Sequence, residues 1–567
     1  MEGEFYTPTE WVNEAHKMIE EQFGLDWKEK YVVWDPAWGT GNLTRDYKFK
    51  ELYCSTINHG DLQTGQHYNP EAVKFQYDFL NDDIVMEGLL LIDNLKMPVG
   101  LIKALKQNKP IIIFMNPPYG QGTSTEAMQG KISTKENSRA FIASTKIGKL
   151  MNFDKMGRGS AQLSSQFLYR IKLLKNNYKS NNLNICCFTS PIFLTGSSYE
   201  NFRDMYLNTF EYMKGFLLKS GSFSNVSSRW GILFSVWKSG ITLNKKNFVL
   251  NVMETDDKTI PRIMGEKTIY NISNKETATF WLKRNMIGLG KKIITPTLSS
   301  ALKIRDKDTR DRKNYLDRRS ILVEGSIGYF FNTSNSIMEN IKGVGLFSSS
   351  FSVYHGVSII PEKNFLETMS LFTARKSIVE TWINQKDIYM FPNDKHPEYP
   401  QWNIDCIIYS LFNNASHQSS LRKIIYHEKF WDIKNEFFWM AKEQMTILAS
   451  SAENGFDELY HDATGDHDRF VYNEIQKIYN DPNQQFSPDA EAVLSRAREL
   501  VIESFKYRNL IHQTNPEYHL NAWDAGWYQI KKVLEKYFKD DLKEFNVLYK
   551  KFEDRMREGV YKFGFLK

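Results

Sequence analysis

Two short apolar runs within the first 120 residues each stop at a tight polar turn, and this pairing constrains the fold more than any bulk property. Residues 31–36 read YVVWDP and lead into Gly39-Thr40-Gly41-Asn42, while residues 109–115 read KPIIIFM and lead into Asn116-Pro117-Pro118-Tyr119. An apolar run of this length, bounded by turn residues, reads as a strand buried on both faces. A strand, a glycine turn and a helix start open a nucleotide-binding α/β sheet. Residues 52–57, 183–189 (LNICCFT) and 230–237 (WGILFSVW) read as further strands, and helical periodicity runs through 163–174. Strands alternating with helices predict an α/β, Rossmann-like doubly wound domain, with its ligand at the carboxyl ends of the strands.

At 567 residues the chain is too long for one ordinary core. The pattern changes near 295, where a mixed-charge stretch over 303–319 and short strand-like runs between 321 and 360 follow, and again near 485, where Ser487-Pro488 reads as an N-cap and first helical residue. The expected division is a catalytic domain over 1–295, a mixed α+β domain over 296–485 and a helical region over 486–567 interrupted at Asn515-Pro516. A hydrophobic share of 41% with 25% charged residues is that of a soluble folded protein. The four cysteines form no C-x-x-C pair, and the adjacent Cys186 and Cys187 would face opposite sides of a strand, so neither a zinc site nor a disulfide framework is expected. His461 and His467, among carboxylates in 457–468, match no metal-binding spacing. The start of the chain lacks a signal-peptide pattern, and no apolar run approaches the roughly 18 residues that span a bilayer. The expectation is a cytoplasmic protein, of a bacterial or phage-infected cell, with no membrane contact.

The turn after the second run suggests a chemistry. An aromatic exocyclic amine, such as N6 of adenine, is a poor nucleophile because its lone pair is delocalised into the ring. The Asn116 side-chain oxygen and the Pro117 carbonyl would each accept one N–H and draw the nitrogen towards a tetrahedral state. Pro117 and Pro118 stiffen the backbone that presents this carbonyl, and Tyr119 would stack on the base. A base inside a duplex must be flipped out to reach such a site, at a cost of about a few kcal/mol. The segment from Asp35 and Pro36 through Gly39, Gly41 and Asn42 would form the cofactor turn, its glycines allowing close backbone approach and Asp35 holding the charged amino-acid end of S-adenosylmethionine. Asp61 and Asp78 are the acidic residues available to the cofactor's ribose and adenine.

In order along the chain, these motifs resemble the N6-adenine DNA methyltransferase family, specifically its gamma class. Tyr6-Thr7-Pro8 matches a family segment that helps hold the methionine part of the cofactor. Asp35 to Asn42 matches DPxxGTGN, Asp78-Phe79-Leu80 matches an acidic-Phe-Leu segment, and Asn116 to Tyr119 matches NPPY. The resemblance covers about the first 240 residues and implies S-adenosylmethionine as cofactor. It departs at the end of the second strand, where an acidic residue is usual and the chain reads Ser55-Thr56-Ile57-Asn58-His59-Gly60-Asp61.

Residues 121–180 hold eleven Lys or Arg against three Asp or Glu, a local excess above the net charge of +6 of the whole chain. The stretch from 120 to 162 reads as a long loop, in which Lys131, Lys135, Arg139, Lys146, Lys149, Lys155 and Arg158 would track the phosphates of double-stranded DNA. The second half lacks cofactor motifs and suits target recognition. There Arg305, Arg310, Arg312, Arg318 and Arg319 are candidates for DNA contacts, against the blander reading of an exposed charged helix. The expectation is therefore a site-specific adenine methyltransferase. The alternatives are a modification component whose companion nuclease is another chain, an enzyme methylating RNA or protein glutamine, and an inactive DNA-binding relative.

Overall fold

The computed structural model describes residues 6–84, 95–119, 144–223, 229–256, 259–284, 288, 290–296, 319–326, 328–332, 334–337, 343–347, 356–416, 421–426, 429–433, 470–514 and 527–567. The chain divides into two compact units, Met1–Asn274 with Glu380–Ile388, and Lys275–Val379 with Tyr389–Lys567.

In the first unit the strands are β1 (Val32–Asp35), β2 (Leu52–Thr56), β3 (Val73–Gln76), β4 (Ile111–Met115), β5 (Leu183–Thr189), β6 (Phe210–Lys219), β7 (Gly231–Ser239), β8 (Asn247–Thr255) and β9 (Pro261–Tyr270). They form one sheet in the order β3-β2-β1-β4-β5-β7-β6-β8-β9. The first five are parallel, β7 is antiparallel to both β5 and β6, and β9 closes the far edge antiparallel to β8. Strand order reverses between β1 and β4, and such a switch point opens a crevice at the carboxyl ends of the strands.

Both faces of the central strands are covered, which explains their unbroken apolar runs. Ile111, Ile113 and Met115 of β4 enter one core with Val32 and Trp34, while Ile112 and Phe114 enter the other with Val33. Cys187 and Cys186 part in the same way, as adjacent strand residues must. Helix α1 (Thr9–Phe23) supplies Trp11, Val12, Ala15, Met18 and Ile19 to one face, beside the short α2 (Trp27–Lys30). The short α3 (His59–Thr64) follows β2, its start capped by the Asn58 side chain. On the other face lie α4 (Val99–Lys106), α5 (Lys146–Phe153), α6 (Leu163–Tyr178) and α8 (Glu200–Leu207), with the short α7 (Ile192–Thr195) between the last two. Each large side chain buried in this way contributes about 1.5–3 kcal/mol.

The expected loop over 120–162 needs correction in its second part. Thr145 caps α5 by accepting the Gly148 N–H at 2.9 Å, and Ile147, Leu150 and Met151 are buried, with a 3₁₀ turn over Gly157–Ala161 leading into α6. Residues 120–143 lie outside the described residues.

The second unit contains three small sheets and a helical core. Its elements are α9 (Ala278–Arg284), β10 (Lys292–Pro296), β11 (Arg319–Val323), β12 (Gly328–Asn332), β13 (Val344–Phe347), β14 (Val357–Ile359), α10 (Pro361–Ser377), α11 (Tyr399–Phe412), β15 (Leu421–Tyr426), β16 (Lys429–Ile433), α12 (Phe470–Asn480), α13 (Pro488–Thr514), α14 (Trp527–Tyr537) and α15 (Lys539–Lys562). Residues on both sides of 485 share one core, in which Phe330, Phe365, Ile407, Val493 and Phe552 are all buried. Two buried charges are satisfied within it. The Arg375 guanidinium donates to Asn332 Oδ1 and to the Ser336 carbonyl, each at 3.0 Å, and lies over the Tyr389 ring. Asp405 accepts the Ser487 N–H at 3.0 Å and pairs with Arg555. Removing Arg555 would leave the buried Asp405 without its counter-charge, which is destabilising.

Because α13 and α15 complete that core, truncation after Asn480 is expected to unfold the second unit while the nine-stranded unit stays folded. Hydrogen exchange on the truncated chain checks this: retained slow exchange in α10 and α11 contradicts it.

Candidate active site

The carboxyl ends of β1, β2, β3 and β4 open into a cavity of about 510 Å³. Thirteen of the fifteen residues singled out for cofactor or chemistry line it: Tyr6, Thr7, Asp35, Pro36, Gly39, Asn42, Asp61, Asp78, Phe79, Asn116, Pro117, Pro118 and Tyr119. The other two shape its wall from behind. The Pro8 carbonyl accepts the N–H groups of Trp11 and Val12 at the start of α1. Gly41 has φ +85°, and a Cβ there would sit 2.9 Å from Trp38 Nε1, so backbone and packing both demand glycine.

Asp35 ends β1, is buried to 1% exposure, and accepts the Ala37 N–H at 3.0 Å through Oδ1. No hydrogen-bond partner reaches Oδ2 among the described residues. Burial pushes this carboxyl up to about 8, with the Ala37 bond opposing it. Among the described residues it is an acid at the wall of the cavity with no cation beside it.

Asn116 follows β4, and its Nδ2 donates to Thr7 Oγ1 at 2.9 Å, across 109 positions of sequence. A long contact of 3.5 Å joins Asn42 Nδ2 to the Thr7 carbonyl, and Asn42 Oδ1 accepts from Arg45 at 3.1 Å and Thr40 at 3.3 Å. The glycine turn and the Asn-Pro-Pro-Tyr turn therefore meet at Thr7. Beneath the glycine turn, His16 of α1 lies 2.9 Å from the Leu43 carbonyl through Nε2 and stacks on Tyr47 at 3.5 Å. Burial drives the His16 pKa down to about 3, so the imidazole is neutral and acts as an N–H donor to that carbonyl.

The far end of the cavity is built from the loops after β2 and β3. Asp61 arrives one turn into α3, accepting from Thr56 Oγ1 at 3.0 Å and Asn58 Nδ2 at 3.2 Å, so a carboxylate reaches the end of β2 although the usual position lacks one. Asp78 accepts the Leu80 N–H at 3.0 Å and Asn81 Nδ2 at 2.8 Å. Phe79 stacks on Phe167 at 4.9 Å and meets Trp34 edge-on. Buried Arg170 donates to the Asp82 carbonyl and the Tyr77 hydroxyl, bracing this loop from α6.

Sequence reading missed Asn58, Thr145, Leu163 and Phe167, which also line the cavity. Asn58 carried a signal as an N-cap before a short helix. The last three come from the starts of α5 and α6 and reach the cavity only through tertiary packing. Trp230, taken as the first residue of a strand, precedes β7 and meets the Tyr119 ring edge-on at 5.4 Å. Burial raises the Tyr119 hydroxyl well above its ordinary pKa.

Of the basic residues expected on DNA, Lys149, Lys155 and Arg158 are exposed. Lys146 is half-buried, and its ammonium donates to the Ile84 carbonyl at 3.1 Å. Arg319 begins β11. Lys131, Lys135, Arg139, Arg305, Arg310, Arg312, Arg318, His461 and His467 lie outside the described residues. Among the described residues no cluster of His, Cys, Asp and Glu could hold a metal ion, and no helix is long and apolar enough to cross a membrane.

No protein-family model and no curated protein matches the chain. Among solved structures it is similar to the methyltransferase subunit of a type I restriction-modification system from Streptococcus thermophilus, with 15% identity over 44% of this chain and 47% of that one and a TM-score of 0.28. It is also similar to the type IIG restriction endonuclease BpuSI, with 14% identity over 56% and 39% and a TM-score of 0.30. A third is a nuclease-deletion mutant of the type ISP restriction-modification enzyme LlaGI in complex with a DNA substrate mimic, with 17% identity over 45% and 28% and a TM-score of 0.28. The chain spans less than half the length of each of these three.

The Asp35 carboxyl gives a stability test with a defined sign. Its folded pKa of about 8 exceeds the ordinary 3.8, so the folded state keeps a proton that the unfolded chain releases between these values. Its contribution to stability therefore falls as pH rises from about 4 to about 8 and is flat above. The expected result is that Asp35→Asn gains melting temperature over wild type progressively across that window. A difference that does not change with pH rules out a strained buried carboxylate.

Proposed function

We propose that the chain is an S-adenosylmethionine-dependent methyltransferase acting on N6 of an adenine flipped out of double-stranded DNA. The observation that carries the proposal is the convergence of residues 6–8, 35–42, 61, 78–79 and 116–119 at one cavity at the switch point of the sheet. The residues suit the cofactor. Asp35 is a buried carboxyl with no cation beside it among the described residues, and the turn at Gly39 and Gly41 has the positive φ angles of 53° and 85° that bring main chain close to a ligand.

Within this reading Asp35 holds the cofactor's α-ammonium, Asp61 the ribose hydroxyls, and Asp78 the adenine amine beside the Phe79 ring. When bound, the cofactor supplies an electrophilic methyl group on a sulfonium. Asn116 Oδ1 and the Pro117 carbonyl accept the two N–H bonds of the target amine, concentrating its lone pair on nitrogen. The target amine would take that methyl group, leaving a neutral thioether, and would give its surplus proton to water. Tyr119, braced edge-on by Trp230, offsets part of the lost base stacking. Lys149, Lys155 and Arg158 add phosphate contacts, giving affinity that falls with salt.

The test is transfer of labelled methyl from S-adenosylmethionine to double-stranded DNA, RNA and a protein extract, with Asn116→Ala in parallel. N6-methyladenine in DNA, lost in the variant, is the expected outcome. Label found only in RNA or protein overturns the substrate assignment.

Cofactor affinity carries a second expectation. An ammonium prefers the ionised form of Asp35, so calorimetric affinity should rise with pH towards about 8, with proton release on binding below that value, until the ammonium itself deprotonates. Asp35→Asn should lose both the affinity and its pH dependence. An affinity that stays flat from pH 6 to 9 in wild type excludes this role.

A further inference from the structure

We propose that Thr7 is a positioning residue whose hydroxyl fixes which edge of the Asn116 amide faces the substrate, tying that orientation to occupancy of the cofactor site. The inference rests on the adenine-methylation reading above. A carboxamide has an acceptor edge and a donor edge of nearly the same shape, and only the oxygen edge is useful against an amine that must give up N–H bonds. An amide turned the other way presents donor to donor.

The structure supplies a device for choosing. Thr7 is 4% exposed, lies immediately before the proline that starts α1, and receives the Asn116 Nδ2–H at 2.9 Å on its hydroxyl. Its carbonyl takes the long contact from Asn42, which Arg45 and Thr40 hold on the other side. Thr7 is thus held by its place at the head of a core helix rather than by the loop it serves.

A hydroxyl has one proton and two lone pairs, so in isolation it can donate to or accept from an amide. Thr7 also lines the cofactor cavity, where a ligand oxygen can take that proton. Once it does, Oγ1 has only lone pairs to offer Asn116, and the amide is set with its oxygen towards the substrate. This makes cofactor binding precede productive capture of the base. It also assigns Thr7 a task distinct from holding the cofactor itself.

The distinguishing variants are Thr7→Val, which keeps shape and removes the hydroxyl, and Thr7→Ser, which restores it. With saturating cofactor and DNA, Thr7→Val is expected to lower kcat by roughly tenfold or more, the effect of losing one orienting hydrogen bond. Calorimetric cofactor affinity should change by less than this, and Thr7→Ser should recover most of kcat. Any residual activity of Asn116→Ala should be unchanged by adding Thr7→Val, because it acts through that amide. An unchanged kcat in Thr7→Val, or a loss confined to cofactor affinity, overturns the proposal.

A structural readout separates this inference from the catalytic reading beneath it. With selectively ¹⁵N-labelled asparagine, the Asn116 side-chain NH₂ signals, assigned by their absence in Asn116→Ala, should shift on cofactor addition in wild type and Thr7→Ser but not in Thr7→Val. If wild type methylates no DNA yet shows this pattern, the amide switch stands and the substrate assignment fails. If wild type methylates DNA and the signals respond equally in all three proteins, the amide switch fails alone.

Discussion

Pairing of β4 with β1 is the constraint on which the rest of the first unit depends. Val32, Val33 and Trp34 lie in parallel register with Ile111, Ile112 and Ile113, so the two strands end side by side and their following turns face the same space. β2 and β3 extend the sheet on one side of this pair and β5 on the other, which is what makes the crevice between β1 and β4 a point of reversal. Had β4 added beside β3 instead, Asp35 and Asn116 would end three strands apart, roughly 14 Å at the usual spacing of about 4.8 Å between neighbouring strands. The turns after β1 and β4, which the proposed function assigns to a cofactor and a substrate amine, would then no longer face one space.

The second constraint is α1, which acts on the site from below. Its first turn is anchored by the Pro8 carbonyl, and one turn further in the neutral imidazole of His16 holds the Leu43 carbonyl. The glycine turn is therefore tied to a helix that itself buries Trp11, Val12, Ala15 and Ile19 against the sheet. Catalytic geometry is worth most where the groups are held before the ligand arrives. A turn that must use positive φ at two glycines is pliable by nature, and the core-anchored helix removes that pliability at a small cost in sequence.

How much of this was legible follows from the physics of each element. The strands β1, β2, β4, β5 and β7 are buried on both faces, so their sequences are continuous apolar runs that stand out from any background. β6, β8 and β9 lie towards the open side of the sheet. In β9, Ile263 and Met264 are exposed next to charged neighbours, so neither alternation nor continuity marks the strand. α5 was hidden by composition: its Lys, Gly and Asn read as loop, whereas Ile147, Leu150 and Met151 keep the three- and four-residue spacing of a buried face. Eleven of the thirteen cavity residues were legible because their motifs follow strand ends, while Tyr6 and Thr7 lead into α1. Thr145, Leu163 and Phe167 were not, because their role comes from packing between segments distant in sequence.

The acidic residues of the cavity show what such a site costs and why it is kept. Asp61 and Asp78 spend their oxygens on neighbouring donors and are comfortable in the folded chain. Asp35 is different: among the described residues it has one backbone N–H, nearly complete burial and no cation, which is the arrangement that a stability-driven choice of residue would replace with asparagine. An asparagine would keep the Ala37 bond and lose the penalty, but it would also lose the ability to gain a charge when a cation enters. A carboxyl whose ionisation waits near neutral pH converts ligand binding into the missing counter-charge, so the free energy withheld from the empty fold is returned on binding. On that argument, and within the proposed reading, the destabilising residue is the one best adapted to the site.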